Sequence, residues 1–312
     1  MGVAFQWRYA WVNIVVCMKE TPDTTVEKRF TAEMRLDRGV TAVINPFDEY
    51  TIEEGLRQQE KHGGEVVVLC MGPASASESI RRALAMGADR AVHVSDPALG
   101  GSDAIGTARV LAAALKKIGY DLVLFGSAAA DAYGGVVPAA VAELLGAPLL
   151  SFATQLDLDD GAARIQRQAE VGYTVAEAPM PALVSVTKAI NEPRYPSMKG
   201  IMQSKRKPIE TFTLADLGLD ASAAGAAGAR EKVVGAEKVS TQRKGELYMG
   251  NEGAAQRRQA QLQAAGFAAQ AQALGIATRW LDIATSTGAD DAALRLRSGA
   301  GQSRVLDCSG LH

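Results

Sequence analysis

Three apolar runs, each followed by a helical pattern, constrain this chain more than any other feature. VNIVVCM (residues 12–18), EVVVLCMGP (65–73) and YDLVLFGS (120–127) are almost continuous in Val, Leu, Ile and Cys. Such runs suit strands covered on both faces, whereas a half-exposed strand alternates polar and apolar residues. Strands of that kind lie parallel, and a parallel neighbour needs a crossover, which helices provide. Residues 48–61 place Ile52 and Leu56 on one helical face and stop at Gly63-Gly64. SASESIRRALAMG (75–87) opens on serines suited to capping, turns Ile80, Ala83 and Leu84 inward and stops at Gly87. Residues 103–118 and 138–145 read as two more helices, and RAVHV (90–94) as another short strand. MRLDRGVTAVI (34–44) reads as a small hairpin turning at Asp37-Arg38-Gly39, which Asn45-Pro46 then stops. The expected class is α/β, a doubly wound, mostly parallel sheet.

From Ser151 the period changes. ATQLDLDDGAARIQRQAEVGYTVAEAPMPALVSVTKAI alternates and turns at Asp159-Asp160-Gly161, as an antiparallel hairpin extension followed by one more strand would. Such an extension is expected to cover one edge of the sheet. Beyond Asp220 the composition shifts to Ala, Gly and Gln, which predicts a loosely ordered tail past about residue 235. The expected organisation is an extension at 1–11, a domain at 12–220 and a C-terminal arm with an atypical tail at 221–312, where the abrupt bias suggests a frame change or an unrelated extension.

Charge and composition narrow the function. The 33 basic and 35 acidic residues nearly cancel and aromatics make up only 5%, so neither broad nucleic-acid binding nor base stacking is indicated. Cys17, Cys70 and Cys308 are too scattered for a disulfide framework, and the first two close buried runs, as reduced cytosolic thiols do. MGVAFQWRYAW lacks the long apolar core of a signal peptide, and no stretch approaches the roughly 20 apolar residues of a membrane span. A cytoplasmic protein without membrane insertion is expected. His62, His93 and His312 fall at a helix end, on a strand and at the last residue, so no base is paired with a nucleophile. Metal-ligand spacings, the P-loop lysine motif and G-x-G-x-x-G after the first strand are also missing. The chain reads as a binder or carrier.

In an open parallel sheet a ligand sits beyond the carboxyl ends of the strands, where strand order reverses. Three loops lie at such ends: Cys17-Met18-Lys19 onward, Cys70-Met71-Gly72-Pro73, and GSAAADAYGGVVPAA from Gly126. The third is rich in small residues and precedes a helix, which suits either a phosphate cradle or an ordinary flexible connection.

INPFDEYTIEEGLR, GPASASESIRRALAMGADRAVHV, DLVLFG and NEPRYPSMKGIMQSKRKPIE occur in the order and spacing of the electron-transfer flavoprotein beta subunit, and the chain resembles that family from about Val12 to Leu219. The resemblance implies a flavodoxin-like, adenine-nucleotide-hydrolase-like sheet and a heterodimer with an alpha subunit that holds most contacts to FAD. It also implies a buried AMP in this chain. By position, the nucleotide contacts fall on Cys17, Asn45, Pro46, Phe47, Asp48 and Met71. They continue through Asp131, Ala132, Tyr133, Gly134, Gly135, Val136, Val137, Pro138, Ala139, Ala140, Val141 and Ala142. Here the loop departs from the hydroxyl-bearing arrangement of many relatives, which leaves backbone amides as phosphate donors. Phe47 and the turn at 21–24 would face the flavin.

In that family the stretch after Pro-Arg-Tyr docks partner dehydrogenases. The resemblance implies a docking loop at 191–207 with its anchor at Met198, supported by Pro196, Ile201, Met202, Lys205, Arg206 and Lys207. Read from residues alone, the same apolar side chains serve equally to cover the sheet edge, and the basic run to form a solvated face. The implied partners are acyl-CoA and similar flavin dehydrogenases as donors and a membrane quinone oxidoreductase as acceptor. The other readings are a bifurcating or nitrogen-fixation-type beta subunit with a second FAD, and a free-standing adenine-nucleotide binder.

Overall fold

The structure, a computed structural model, describes residues 11–235 apart from 28, 33–35 and 232, together with two short strands near the C-terminus. Its centre is a seven-stranded sheet in which every neighbouring pair is parallel. The strands and helices of the first half alternate as expected. They are β1 (Val12–Met18), β2 (Glu20–Pro22), β3 (Ala42–Ile44), α1 (Pro46–His62), β4 (Gly64–Met71), α2 (Ser77–Met86) and β5 (Arg90–Val94). Then come α3 (Ala104–Ile118), β6 (Leu122–Gly126), α4 (Val137–Leu145) and β7 (Leu149–Ala153). The antiparallel strands β8 (Gln155–Asp159), β9 (Ala162–Gln168) and β10 (Tyr173–Pro179) precede β11 (Ala182–Val186), α5 (Met198–Ser204) and β12 (Ile209–Phe212).

The strand order is β12-β5-β4-β1-β6-β11-β7. The chain builds outward from β1 through β4 and β5, then returns to the other side of β1 with β6. Order therefore reverses between β1 and β6, and the crevice expected of such a sheet opens at their carboxyl ends. Successive residues of β1 serve opposite faces, as a pleated strand requires. Ile14 and Val16 pack with Ile52, Leu56, Ile80 and Leu84 of α1 and α2, while Val15 and Cys17 pack with Val110, Leu115 and Val141 of α3 and α4. Both faces are thus covered by helices, which is why β1, β4 and β6 read as unbroken apolar runs.

The antiparallel sheet has three strands, one more than the hairpin the alternation predicts. Asp160 and Gly161 form its first tight turn, both with positive φ (45° and 80°), matching the twist of the strands they join. Leu156, Leu158, Ala163 and Ile165 sink into the core beside α1, so this sheet lies against a helical layer. The strand after it, β11, is buried at all five positions and sits between β6 and β7. ALVSV belongs to the main sheet, and β7 is left as the edge.

Two local expectations are corrected. Among the described residues, 36–44 do not pair with one another: β3 runs antiparallel to β2, and Leu36 bridges to Phe30. The Asp37 turn is local, with its carboxylate accepting from Gly39 N at 2.8 Å. The serines before α2 cap nothing, because a short 3-10 turn at Ala74–Ala76 leads into the helix. Ser75 and Ser79 instead donate to Glu20, at 3.3 and 2.8 Å. The start of the C-terminal arm folds back onto α3, where Asp103 caps the helix and also accepts from Arg230 N at 2.7 Å. Most of the atypical tail and residues 1–10 lie outside the described residues. The second unit, 238–312, is described only by the antiparallel pair β13 (Leu294–Arg297) and β14 (Ser303–Leu306).

Helix α1 depends on Ile52, which is completely buried against the sheet. Ile52→Ala is expected to cost about 3 kcal/mol, because the cavity it leaves cannot fully collapse. The check is a urea unfolding curve, in which the midpoint falls and the slope stays constant.

Candidate functional site

At the end of β6 the main chain packs closely against the first turn of α1. Gly126 closes β6, and a Cβ there would collide with the Asp48 carboxylate and stand 3.0 Å from Phe47 Cβ. The missing side chain lets the Asn45-Pro46-Phe47-Asp48 turn settle into the reversal point. Pro46 at the helix start suits a position whose N–H has no helical acceptor.

Asn45 ties this turn to the loop after β6. Its Nδ2 donates to Ala128 O at 2.9 Å and its Oδ1 accepts from Ala130 N at 3.0 Å. Its backbone N–H donates to Lys19 O at 2.8 Å, so one residue joins three segments of the rim. Asp48 is buried and accepts from Lys19 N at 2.8 Å. Burial drives its pKa up to about 7, against the opposing hydrogen bonds from Lys19, Asn45 and Gly126.

The loop itself is anchored by Asp131, whose side chain is only 3% exposed. Lys19 Nζ reaches it at 2.8 Å and Arg38 pairs with the other oxygen. Burial acts to raise its pKa, but Lys19 and Arg38 outweigh that and hold the carboxyl below its ordinary range. Next to it Tyr133 takes φ 53°, a left-handed conformation costing a non-glycine residue about 1 kcal/mol or more. Its N–H donates to Ala129 O at 2.7 Å, and its ring meets Phe47 edge-on with centroids 5.9 Å apart. Lys188 places its ammonium 4.6 Å from the centre of the Phe47 ring. Phe47 is half-buried, at the mouth of the crevice and not in the core.

Residues 132–136 are exposed, and α4 begins at Val137 with no side chain capping it. That leaves backbone amides of the Gly134–Val137 stretch as the donors available to an anion, helped by the positive end of the helix. Thr21, from the turn expected to face a flavin, is fully buried, and its Oγ1 has no protein partner among the described residues. The exposed loop amides and the uncapped helix start suit a phosphate-bearing ligand.

The structure brings the expected contacts Asn45, Pro46, Phe47, Asp48, Asp131 and 132–137 to one rim, and Cys17 and Met71 to the strand ends beneath and beside it. It also changes several roles. Asn45 and Asp131 spend their side chains fixing the loop. Val141 and Ala142, expected among the contacts, have core side chains, and Pro138 is likewise buried. Cys17 is buried, and burial pushes its thiol pKa well above its ordinary value. The sequence reading missed Arg38 and Lys188, which come from distant segments and carry no motif. His93 is a satisfied sheet residue, its Nε2 lying 3.1 Å from Gly72 O. Among the described residues no cluster of His, Cys, Asp and Glu is placed to hold a metal, and no helix is long and apolar enough to cross a membrane.

Away from the crevice, the 191–207 segment presents Tyr195 (91% exposed), Met198 (78%) and Met202 (71%) to solvent, with Ile201 beside them. Met198, Ile201 and Met202 share one face of α5 by their spacing, and they do not cover the sheet edge. Lys199, Lys205 and Arg206 are exposed, but Lys207 is not part of that charged surface. Its ammonium donates to Leu84 O (3.2 Å), Gly87 O (2.9 Å) and Ala88 O, the carbonyls that end α2.

Asp48 makes the fold pH-dependent. The folded state holds this proton more tightly than the unfolded chain, so its contribution is complete below the ordinary value of 3.8 and is lost as pH rises through about 7. Asp48→Asn is expected to flatten that decline. Unfolding free energies at about pH 5 and about pH 8 check it, since the wild-type chain should lose stability relative to the variant at the higher pH.

The model of the Electron transfer flavoprotein domain matches residues 34–217. The chain is 44% identical over 230 residues to the electron transfer flavoprotein subunit beta of Mycobacterium leprae, covering 71% of this chain and 86% of that one. It is 37% identical over 242 residues to the subunit of the same name from Thermoanaerobacterium thermosaccharolyticum, covering 77% and 93%. A third relative, the caffeyl-CoA reductase-Etf complex subunit CarD of Acetobacterium woodii, is 39% identical over 217 residues, covering 69% and 83%. With the doubly wound sheet and its rim in place, these likenesses show that the chain belongs to the electron transfer flavoprotein beta-subunit family.

Proposed function

We propose that this chain is the beta half of a heterodimeric electron carrier. An alpha subunit contributes most contacts to FAD, and this chain holds AMP in its own crevice. It receives electrons from flavin dehydrogenases of the acyl-CoA class and passes them on toward a membrane quinone oxidoreductase. The observation that carries the reading is the rim itself: an uncapped α4 start and an exposed small-residue loop following β6, beside the point where the strand order reverses. FAD, when bound, supplies the one-electron chemistry. The chain's own residues supply binding and orientation. Backbone amides at 134–137 take the phosphate, Lys19 and Arg38 hold the loop through Asp131, and Phe47 with Tyr133 closes the mouth over it. The fit extends to charge, because the one carboxylate on the loop is already neutralised by two cations.

The apolar face of α5 supports the docking role. Its methionines adapt to more than one pocket shape, which suits a carrier that meets several dehydrogenases. Lys199, Lys205 and Arg206 supply steering charge, which raises the rate of encounter more than the affinity.

Two measurements test the reading. Denaturing the heterodimer, purified after co-expression with its alpha subunit, is expected to release AMP and FAD in equal amounts. Release of no adenylate overturns the AMP assignment, and a second equivalent of flavin in its place assigns the crevice to another FAD. Met198→Ala is expected to raise the KM of the dehydrogenase for the heterodimer about tenfold, the loss expected when a buried methionine anchor is truncated, with flavin content unchanged. An unmoved KM removes the docking role.

A further inference from the structure

The 191–207 segment is bound to the body of the molecule at both ends, by groups its docking role does not use. At the start, Asn191 Nδ2 donates to Tyr50 O at 2.9 Å and to Glu54 Oε2 at 3.1 Å. Arg194 lays its guanidinium on Glu53, with Nε 2.7 Å from Oε2 and Nη2 3.1 Å from Oε1, and its Nη1 reaches Glu60 at 2.6 Å. Even its backbone N–H donates to Glu53 Oε2, at 3.2 Å. Glu53 and Glu54 are only 3% and 5% exposed, and buried carboxylates need partners: Glu53 is paired with Arg194 and Arg57, while Glu54 accepts from the side-chain amides of Gln58 and Asn191. At the far end Arg81 donates to Ser204 O and, at 2.7 Å, to Lys207 O, beside the lysine seated on the end of α2.

Between these ties lies α5, seven residues long and far too short to hold a helical shape unaided. Ser197 caps it by accepting from Gly200 N at 3.0 Å. Gly200 lies so close to α2 that any Cβ would strike Ala85 O, so the helix has a single seat. The outward face of that helix carries the exposed methionines.

We propose that Arg194, backed by Asn191, is a positioning residue that sets the docking helix in its partner-ready orientation before any encounter; this rests on the docking role proposed above. A surface segment ordered only on binding would lose affinity to the cost of ordering it, and the clamp removes that cost in advance. The planar fork of arginine matters, because it meets Glu53 through two nitrogens and Glu60 through a third, which an ammonium cannot imitate. The clamp is separable from the fold: Glu53 keeps a second partner in Arg57 at 3.0 Å, and α1 is held to the sheet by Ile52 and Leu56.

The test compares Arg194→Gln, Arg194→Lys and Met198→Ala in the purified heterodimer. Hydrogen exchange is read at amides 197–204, and KM and kcat are read with an acyl-CoA dehydrogenase as donor. Arg194→Gln is expected to speed exchange in that segment alone and to raise KM about fivefold at unchanged kcat and flavin content, with Arg194→Lys in between. Unchanged exchange overturns the clamp. So does a joint fall of kcat and flavin content, which would mark a fold-wide role. If Met198→Ala raises KM and Arg194→Gln does not, the positioning role fails while docking stands. If Met198→Ala leaves KM unmoved, docking fails and the positioning role falls with it.

Discussion

The first turn of α1, wedged into the reversal point of the sheet, is the contact to which every functional surface of this chain is referred. It fits there only because β6 ends in a residue without a side chain. From that seat Asn45 and Asp48 reach the loop after β6 and the end of β1, and they define the rim. Two turns later the same helix offers Glu53 and Glu54 to the 191–207 segment. Its inner face meanwhile supplies Ile52 and Leu56 to the core. One helix thus serves as floor for the crevice, mount for the exposed segment and wall of the hydrophobic interior.

The architecture was legible because hydrophobic periodicity reports burial, and burial on both faces leaves an unmistakable apolar run in β1, β4 and β6. It was less legible where a residue's partner lies far away in sequence. Nothing in TAVI reveals that it pairs with Glu20–Pro22 and not with the residues just before it. The serines around the start of α2 look like caps by type, yet Glu20 claims Ser75 just ahead of the helix and Ser79 within it from across the fold. ALVSV reads as one more strand after the hairpin, and nothing in its sequence says which sheet it joins; it lies, buried throughout, in the parallel one.

The same divide runs through the candidate site. The strand-end rule located the rim, since it depends on topology alone. Which rim residues hold the loop and which face a ligand depends on hydrogen-bond partners 83 to 112 positions away, and no motif encodes those. Asn45 and Asp131 consequently turned out to be fasteners. Lys207 shows the reverse error: a cation in a basic run looks like surface charge, but the carbonyls ending α2 had already recruited it. In both places the residue type was read correctly and its neighbour was not.

The insertion of β11 between β6 and β7 also orders events during synthesis. Among the described residues β7 pairs with β11 alone, so it has no seat in the sheet when it first emerges. The outer flank of β6 stays bare until the three antiparallel strands have been made and β11 has followed them. Closing that gap joins segments far apart in the chain, a slow step compared with forming helices and hairpins. Two of the seven strands therefore join late, and a nascent chain stalled before Ala182 would expose a sticky, strand-hungry margin.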